Sequence, residues 1–254
     1  MSGAASSPAS PEEQLAALVA QAAPAVQSYA CALTQARYLT AHCGRPAEAL
    51  AGLEATVAWR ASAIQPGFAC ALCREKPGAH CFISLGQDDE GDALIYGAPA
   101  RASEGGEVPG TVAHCVNSLE KQWGAGGAAP QRWSWVVDFR DFGFTHAMQA
   151  RLGISFATIF KAHFPERLKR ILLLNPPTLF KVLVSAIGVV ADARTLAKLV
   201  VLEAPGPAEL CQRLRAEHGV GNAEVQAWLL AAFTEPTMPG TLPPVPAHLA
   251  HLQV

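Results

Sequence analysis

The sequence predicts an α/β protein: a mostly parallel β-sheet with crossover helices, preceded by a small all-α subdomain. Three observations predict it. Between Trp133 and Leu202, strand-like and helical patterns alternate as strand, helix, strand, helix, strand, the order that builds parallel sheets. The first sixty residues carry helical periodicity alone. Half of the 254 residues are hydrophobic, enough for a chain of this length to bury a substantial core.

Taken in order, Ser10-Pro-Glu-Glu13 opens the first helix. Ser10 can cap, Pro11 suits the first turn, and Glu13 completes a capping box. Leu15, Leu18, Val19 and Ala22 follow at helical spacing. Pro24 breaks this helix, and a single second helix is expected with Val26, Tyr29, Leu33 and Arg37, ending near Gly44. Pro46 opens a third, with Leu50, Leu53 and Val57 inward and Trp59-Arg60 at its end. Residues 64–78 read as a connector. His80–Leu85 and Ala93–Tyr96 read as strands joined by the acidic turn Asp88-Asp-Glu-Gly91. A polar loop over 101–109, a helix over Thr111–Trp123 and a Gly/Ala link up to Pro130 lead to the strand Trp133–Asp138.

The next helix shows Met148, Leu152, Phe156, Phe160 and Phe164 at a period of four, a wide apolar stripe. Arg170–Leu174 is a strand stopped by Asn175-Pro-Pro177. Thr178–Ala191 then reads as a helix apolar on nearly every side, either buried or facing lipid, and too short to span a bilayer. Lys198–Leu202 is the last strand. Two further helices come after it, one marked by Leu210, Cys211 and Leu214, the other capped by Asn222 and carrying Val225, Trp228 and Phe233.

Composition narrows the function. Charged residues make up 16% and the net charge is −2, with no basic stripe to hold nucleic acid. No apolar run reaches the roughly 18 residues of a membrane span. The N-terminus lacks a charged and an apolar signal region, and seven cysteines at irregular spacing suit a reducing cytosol. Catalytic motifs are wanting. Asp141-Phe-Gly143 stands without the loops of a kinase, and neither a Gly-x-Ser-x-Gly elbow nor a dinucleotide fingerprint occurs. Cys70-Ala-Leu-Cys73 with His80 and Cys81 has the donor types of a zinc site. Neighbours on a strand point apart, however, which argues against His80 and Cys81 both turning inward. Ordinary thiols are the favoured reading with no metal assigned, and an enzyme or zinc protein using Cys70, Cys73, His80 and Cys81 stands as a third alternative.

Four ordered segments carry a resemblance: Trp133–Asp138 with Gly143-Phe144, His163-Phe-Pro-Glu-Arg-Leu-Lys169, Leu174-Asn-Pro-Pro-Thr-Leu-Phe180, and Asp192-Ala-Arg-Thr-Leu-Ala-Lys198. Together they resemble the CRAL-TRIO lipid-binding family, in its phosphatidylinositol/phosphatidylcholine transfer type. Arg37-Tyr-Leu39, Ala47–Leu50 and Trp59-Arg60 are similar to that family's N-terminal helices. Composition marks a Ser/Ala/Pro-rich disordered tail (1–10) and an irregular Pro-rich tail (241–254); between them the resemblance implies a helical subdomain (11–65) and a lipid-binding domain (66–240).

It further implies a sheet flooring an apolar pocket, with Thr178–Ala191 as its gate helix. The implied activity is non-catalytic binding and exchange, between membranes, of a phospholipid or similar hydrophobic ligand. The alternative is a regulatory or protein-interaction module that keeps the fold without transfer. Glu166, Thr195 and Lys198 match the family's headgroup residues, and Phe156, Phe160, Phe180, Leu183 and Ile187 would line the pocket. Lys169, Arg170 and Lys181 would favour anionic membrane surfaces. No cofactor and no nucleic-acid partner is expected, and the protein is expected to be a cytoplasmic, peripherally membrane-associated monomer. Departures fall at Thr40 and His42, at Asp92-Ala93 and at Leu242-Pro-Pro244; they bear on phosphoinositide specificity more than on the fold.

Overall fold

The computed structural model describes residues 9–104, 107–124, 130–147 and 150–254, without the side chains at 124, 147, 150, 182, 183 and 186. Residues 1–8 of the expected N-terminal tail, most of the Gly/Ala link before Pro130, and Met148 of the apolar stripe lie outside the described residues; Ser10, counted with that tail, is ordered as the cap of the first helix. The chain divides into two compact units, one formed by the residues up to Ala63 with Phe160–Glu166, the other by Ile64–Ile159 and Arg167–Val254.

The first unit is helical: α1 (Pro11–Gln21), α2 (Pro24–Tyr29), α3 (Ala32–Ala41) and α4 (Pro46–Ala63). The capping box forms as read, with the Ser10 side chain and Glu13 exchanging bonds across the first turn. The expected single second helix is two. The chain leaves helical geometry at Ala30 and restarts at Cys31, whose thiol meets the Thr34 hydroxyl at 3.2 Å. The break resets the phase, so Val26, Ala30 and Tyr38 all reach one core while Leu33 is left exposed. The Phe160–Glu166 segment is fastened by a short polar chain. Tyr38 donates to Thr56 at 2.6 Å, Thr56 meets His163 Nδ1 at 3.0 Å, and Trp59 stacks flat on the His163 ring at 4.3 Å.

The second unit begins with α5 (Ala71–Glu75), a turn of helix inside the stretch expected to be plain connector. Then come β1 (Phe82–Gln87), β2 (Ala93–Gly97), α6 (Val108–Gly124), β3 (Trp133–Asp138), α7 (Phe144–Ala147), α8 (Ala150–His163), β4 (Leu168–Leu174), α9 (Phe180–Ile187), α10 (Ala193–Leu196), β5 (Leu199–Leu202), α11 (Pro207–His218) and α12 (Ala223–Thr234). The strands form one sheet in the order β1-β2-β3-β4-β5. β1 and β2 are an antiparallel hairpin across the acidic turn, and the other pairings are parallel.

Sequential order has a consequence. Parallel crossovers are right-handed almost without exception, so connections that step the same way across the sheet deliver their helices to the same face. The other face is closed by the two helices after β5. There Leu94, Tyr96, Val136, Leu172, Leu174 and Leu202 are buried against Leu210 and Leu214 of α11 and Trp228 and Leu229 of α12. α11 ends at Gly219, whose φ of 58° is the left-handed turn that glycine adopts without strain.

Candidate functional site

Side chains alternate across a strand, and the parallel register aligns them in rows. One row on the crossover face runs Trp135, Ile171, Leu199, and the next runs Val137, Leu173, Val201. Parallel strands are ordinarily sealed on both sides, yet here Trp135, Ile171 and Leu199 are half-buried and Val201 is 52% exposed. The rows are apolar throughout, so they form a greasy floor with incomplete cover.

The cover that exists comes from aromatic residues. Phe156 of α8 sits edge-on to Trp135, with centroids 5.5 Å apart. Phe139 meets Phe142 at 5.0 Å and Phe180 at 4.6 Å. Phe180 opens α9, and Val184, one turn on, joins the same cluster with Val137 and Leu173. α9 is shorter than the Thr178–Ala191 expected: it stops at Ile187, where Gly188 and the β-branched pair Val189-Val190 replace helix formers. Nor is it apolar on every side. Phe180 is buried, Val184 and Ile187 half-buried, and Lys181 and Ser185 exposed. The Leu183 side chain lies outside the described residues.

Thr195 lies in α10 and Lys198 immediately precedes β5. Asp192 caps α10 by accepting from the Thr195 N–H at 2.8 Å. The Lys198 N–H donates to the Thr195 carbonyl, and the Lys198 carbonyl accepts from Ile171 at 2.8 Å, so the sheet ladder fixes its backbone. Both side chains are half-buried. Phe160 and Glu166 belong to the first unit. Phe160 meets Phe164 edge-on at 5.8 Å, and Glu166 has a φ of 55°.

Two of the three cations assigned to membrane contact are spent inside the protein. Lys169 binds Asp88 at 2.8 Å, Glu90 at 2.9 Å and Asp92 at 3.2 Å, and Arg170 reaches Asp88 at 3.4 Å. Arg132 adds a 2.7 Å bond to Asp92. The acidic turn between β1 and β2 is therefore an internal ion cluster. Burial alone would raise the Asp92 carboxyl, but Arg132 and Lys169 outweigh it and hold it below its usual range. Burial likewise opposes charge on Lys169, and the three carboxylates reverse that, raising its pKa. Lys181, the third member of that trio, is exposed on α9.

The cysteine region is more ordered than its spacing suggested. Cys70, Cys73 and His80 come together with His114 of α6, one donor atom of each lying within 4.8 Å of all the others. Cys81 is not among them. Both it and His80 precede β1, and Cys81 has a φ of 43°, so strand alternation does not govern the pair; the Cys81 side chain is buried with Leu85, Leu94 and the rest of the closed-face core. Burial pushes the Cys73 thiol up to about 11 and the His114 imidazole down to about 4, so both are neutral at neutral pH. Sequence reasoning missed His114. It shares a polar stripe with Thr111 and Ser118, which a hydrophobic count places in solvent but which the structure buries. A cleft of about 290 Å³ beside Leu85, Gln122, Leu249 and Leu252 lies toward the closed face, away from the apolar floor.

A sequential, mostly parallel sheet sealed on one face and left apolar and half-open on the other defines the class of the fold, an α/β domain with an apolar floor. The match to known proteins is specific: residues 79–218 fit the model of the CRAL/TRIO domain, and the chain belongs to that family. Among solved structures it is similar to the crystal structure of Sfh5, with a TM-score of 0.58, 15% identity, and coverage of 80% of this chain and 83% of that one. At that identity the likeness speaks for the fold. No curated protein sequence matches the chain. Among the described residues no helix is long and apolar enough to cross a membrane.

Proposed function

We propose that the protein binds a phospholipid (phosphatidylinositol or phosphatidylcholine) or a molecule of similar apolar bulk on the open face of its sheet, and exchanges it between membranes. The observation that carries this reading is the half-covered floor formed by Trp135, Ile171, Leu199 and Val201. Each acyl methylene taken out of water there contributes about 0.8 kcal/mol, so a diacyl chain repays a floor that the fold itself leaves open. Phe156, Phe180 and Ile187 line that space in this reading, and α9 is the door. Its inner side is apolar, its outer side carries Lys181, and Val189 beyond its end is 84% exposed, a combination suited to an anionic bilayer surface.

Thr195 and Lys198 take the headgroup, a hydroxyl and an ammonium for one phosphate. The reading contains no catalytic step and needs no cofactor. It places a monomer in the cytoplasm, meeting membranes transiently. Native mass spectrometry of the full chain, purified and then incubated with vesicles of mixed phosphatidylinositol and phosphatidylcholine, should show one lipid per chain. A protein that stays lipid-free overturns the reading. Lys198→Ala should weaken phosphatidylinositol transfer while sparing phosphatidylcholine; equal loss of both would remove Lys198 from the headgroup site.

A further inference from the structure

We propose that Cys70, Cys73, His80 and His114 form a closed, structural zinc site, separate from the apolar floor. The warrant is metric. Bonds of about 2.3 Å to sulfur and 2.0–2.1 Å to nitrogen, at the tetrahedral angle, set neighbouring S and N atoms about 3.5–3.6 Å apart. The structure gives Cys70 Sγ to His80 Nδ1 as 3.5 Å, Cys73 Sγ to His80 Nδ1 as 3.6 Å and Cys73 Sγ to His114 Nδ1 as 3.6 Å. Three edges of a tetrahedron are thus already laid out.

The surroundings fit the same geometry. His114 Nε2 lies 3.2 Å from the Phe82 carbonyl. That contact makes Nε2 the protonated nitrogen and leaves the Nδ1 lone pair facing the sulfurs, as the outer hydrogen bond of a ligating histidine does. The Cys73 N–H donates to Cys70 Sγ at 3.4 Å, and the backbone of Ala79 and His80 supplies further bonds to Cys73. Such N–H donors offset the negative charge of metal-bound sulfur. Cys70, His80 and His114 are buried, and Cys73 is half-buried. Two thiolates and two imidazoles favour zinc over the oxygen-seeking cations. Four protein donors leave no position for water or substrate, which makes the site structural rather than catalytic.

The role comes from which segments the ligands join. Cys70 and Cys73 bracket the start of α5, His80 precedes β1, and His114 lies within α6. The ion would tie a connector with only a single turn of helix, α5, to the edge strand and to the first crossover helix. In a closed site of this kind, metal binding is folding free energy.

The test uses the full chain, purified without chelator and with any affinity tag removed. Elemental analysis should find about one zinc per chain. Titrating the reduced, metal-free chain with Co²⁺ should bring up the visible bands of tetrahedral cobalt and a near-ultraviolet thiolate charge-transfer band. His114→Ala and Cys73→Ser should each cut Co²⁺ affinity by at least about tenfold, whereas Cys81→Ala should keep the bands. Wild-type protein with neither zinc nor cobalt bands overturns the site, and this measurement needs no variant to fold. Loss of the bands in Cys81→Ala but not in His114→Ala would equally overturn the ligand set.

Discussion

On one face of the sheet, Tyr96, Leu172 and Leu202 are sealed beneath α11 and α12. On the other, Trp135, Ile171 and Leu199 of the neighbouring rows remain half-buried and Val201 is mostly bare. The strands are the same, and the closed face even carries buried polar groups such as Ser134 and Asp138, so strand composition does not explain the difference. Cover does. The closed face receives two helices after β5, while the floor receives the ends of crossovers, of which α9 has eight residues. A sheet finished on one side only has met the needs of folding there and left the other side for a separate use.

The largest effect should come from the closed face. Leu172→Ala, at a fully buried site, should cost 2–5 kcal/mol in urea unfolding, roughly the range for a buried leucine; a loss under about 1 kcal/mol would mean the two faces are not energetically distinct. Next is the ion cluster at the β1–β2 turn. Lys169→Ala leaves Asp88 and Asp92 without their shared ammonium and should cost about 2–3 kcal/mol, below the cost of a fully buried pair because Glu90 is solvent-facing.

The same cluster fixes a pH dependence. The folded-state pKa of Asp92 is depressed, so the unfolded chain binds more protons across that window. Its stabilising contribution is full above the ordinary carboxylate pKa and is lost as pH falls through the depressed one. Lys169 is raised, so its contribution holds below the ordinary lysine pKa and is lost as pH climbs through the raised value. Thermal midpoints measured from neutral pH into the acid range should therefore fall less steeply in Asp92→Asn than in the wild type; identical slopes would remove Asp92 as a cause. The smallest effect on stability belongs to the floor. Val201→Asp, exposed on the edge strand β5, should shift the unfolding free energy by less than about 1 kcal/mol yet lower lipid occupancy measurably. Unchanged occupancy would show that the floor is not where the lipid lies.

The sheet was legible in the sequence because its signals are local: short apolar runs, Asn175-Pro-Pro177 as a stop, and four motifs in order. What escaped depended on contacts distant in sequence or on phase. The break at Ala30 carries no proline or glycine. Lys169 and Arg170 looked like surface cations because their partners Asp88 and Asp92 lie some eighty residues earlier. His114 is thirty-four positions past His80, on a helical stripe whose polarity argued for solvent.

Two arginines bind the sealed face to the segment around the end of α12. Arg101, wholly buried, donates to the carbonyls of Ala232, Glu235 and Thr241, and Arg140, half-buried and paired with Asp138, reaches those of Ala232, Phe233 and Glu235. Every one of these carbonyl acceptors lies between Ala232 and Thr241, well beyond the end of β5. During synthesis the sheet strands therefore emerge before the groups that satisfy a guanidinium at their core. The closed face can lock only once that segment has left the ribosome: a chain stopped short of Ala232 leaves Arg101 and Arg140 without these carbonyls, Arg140 keeping its pair with Asp138.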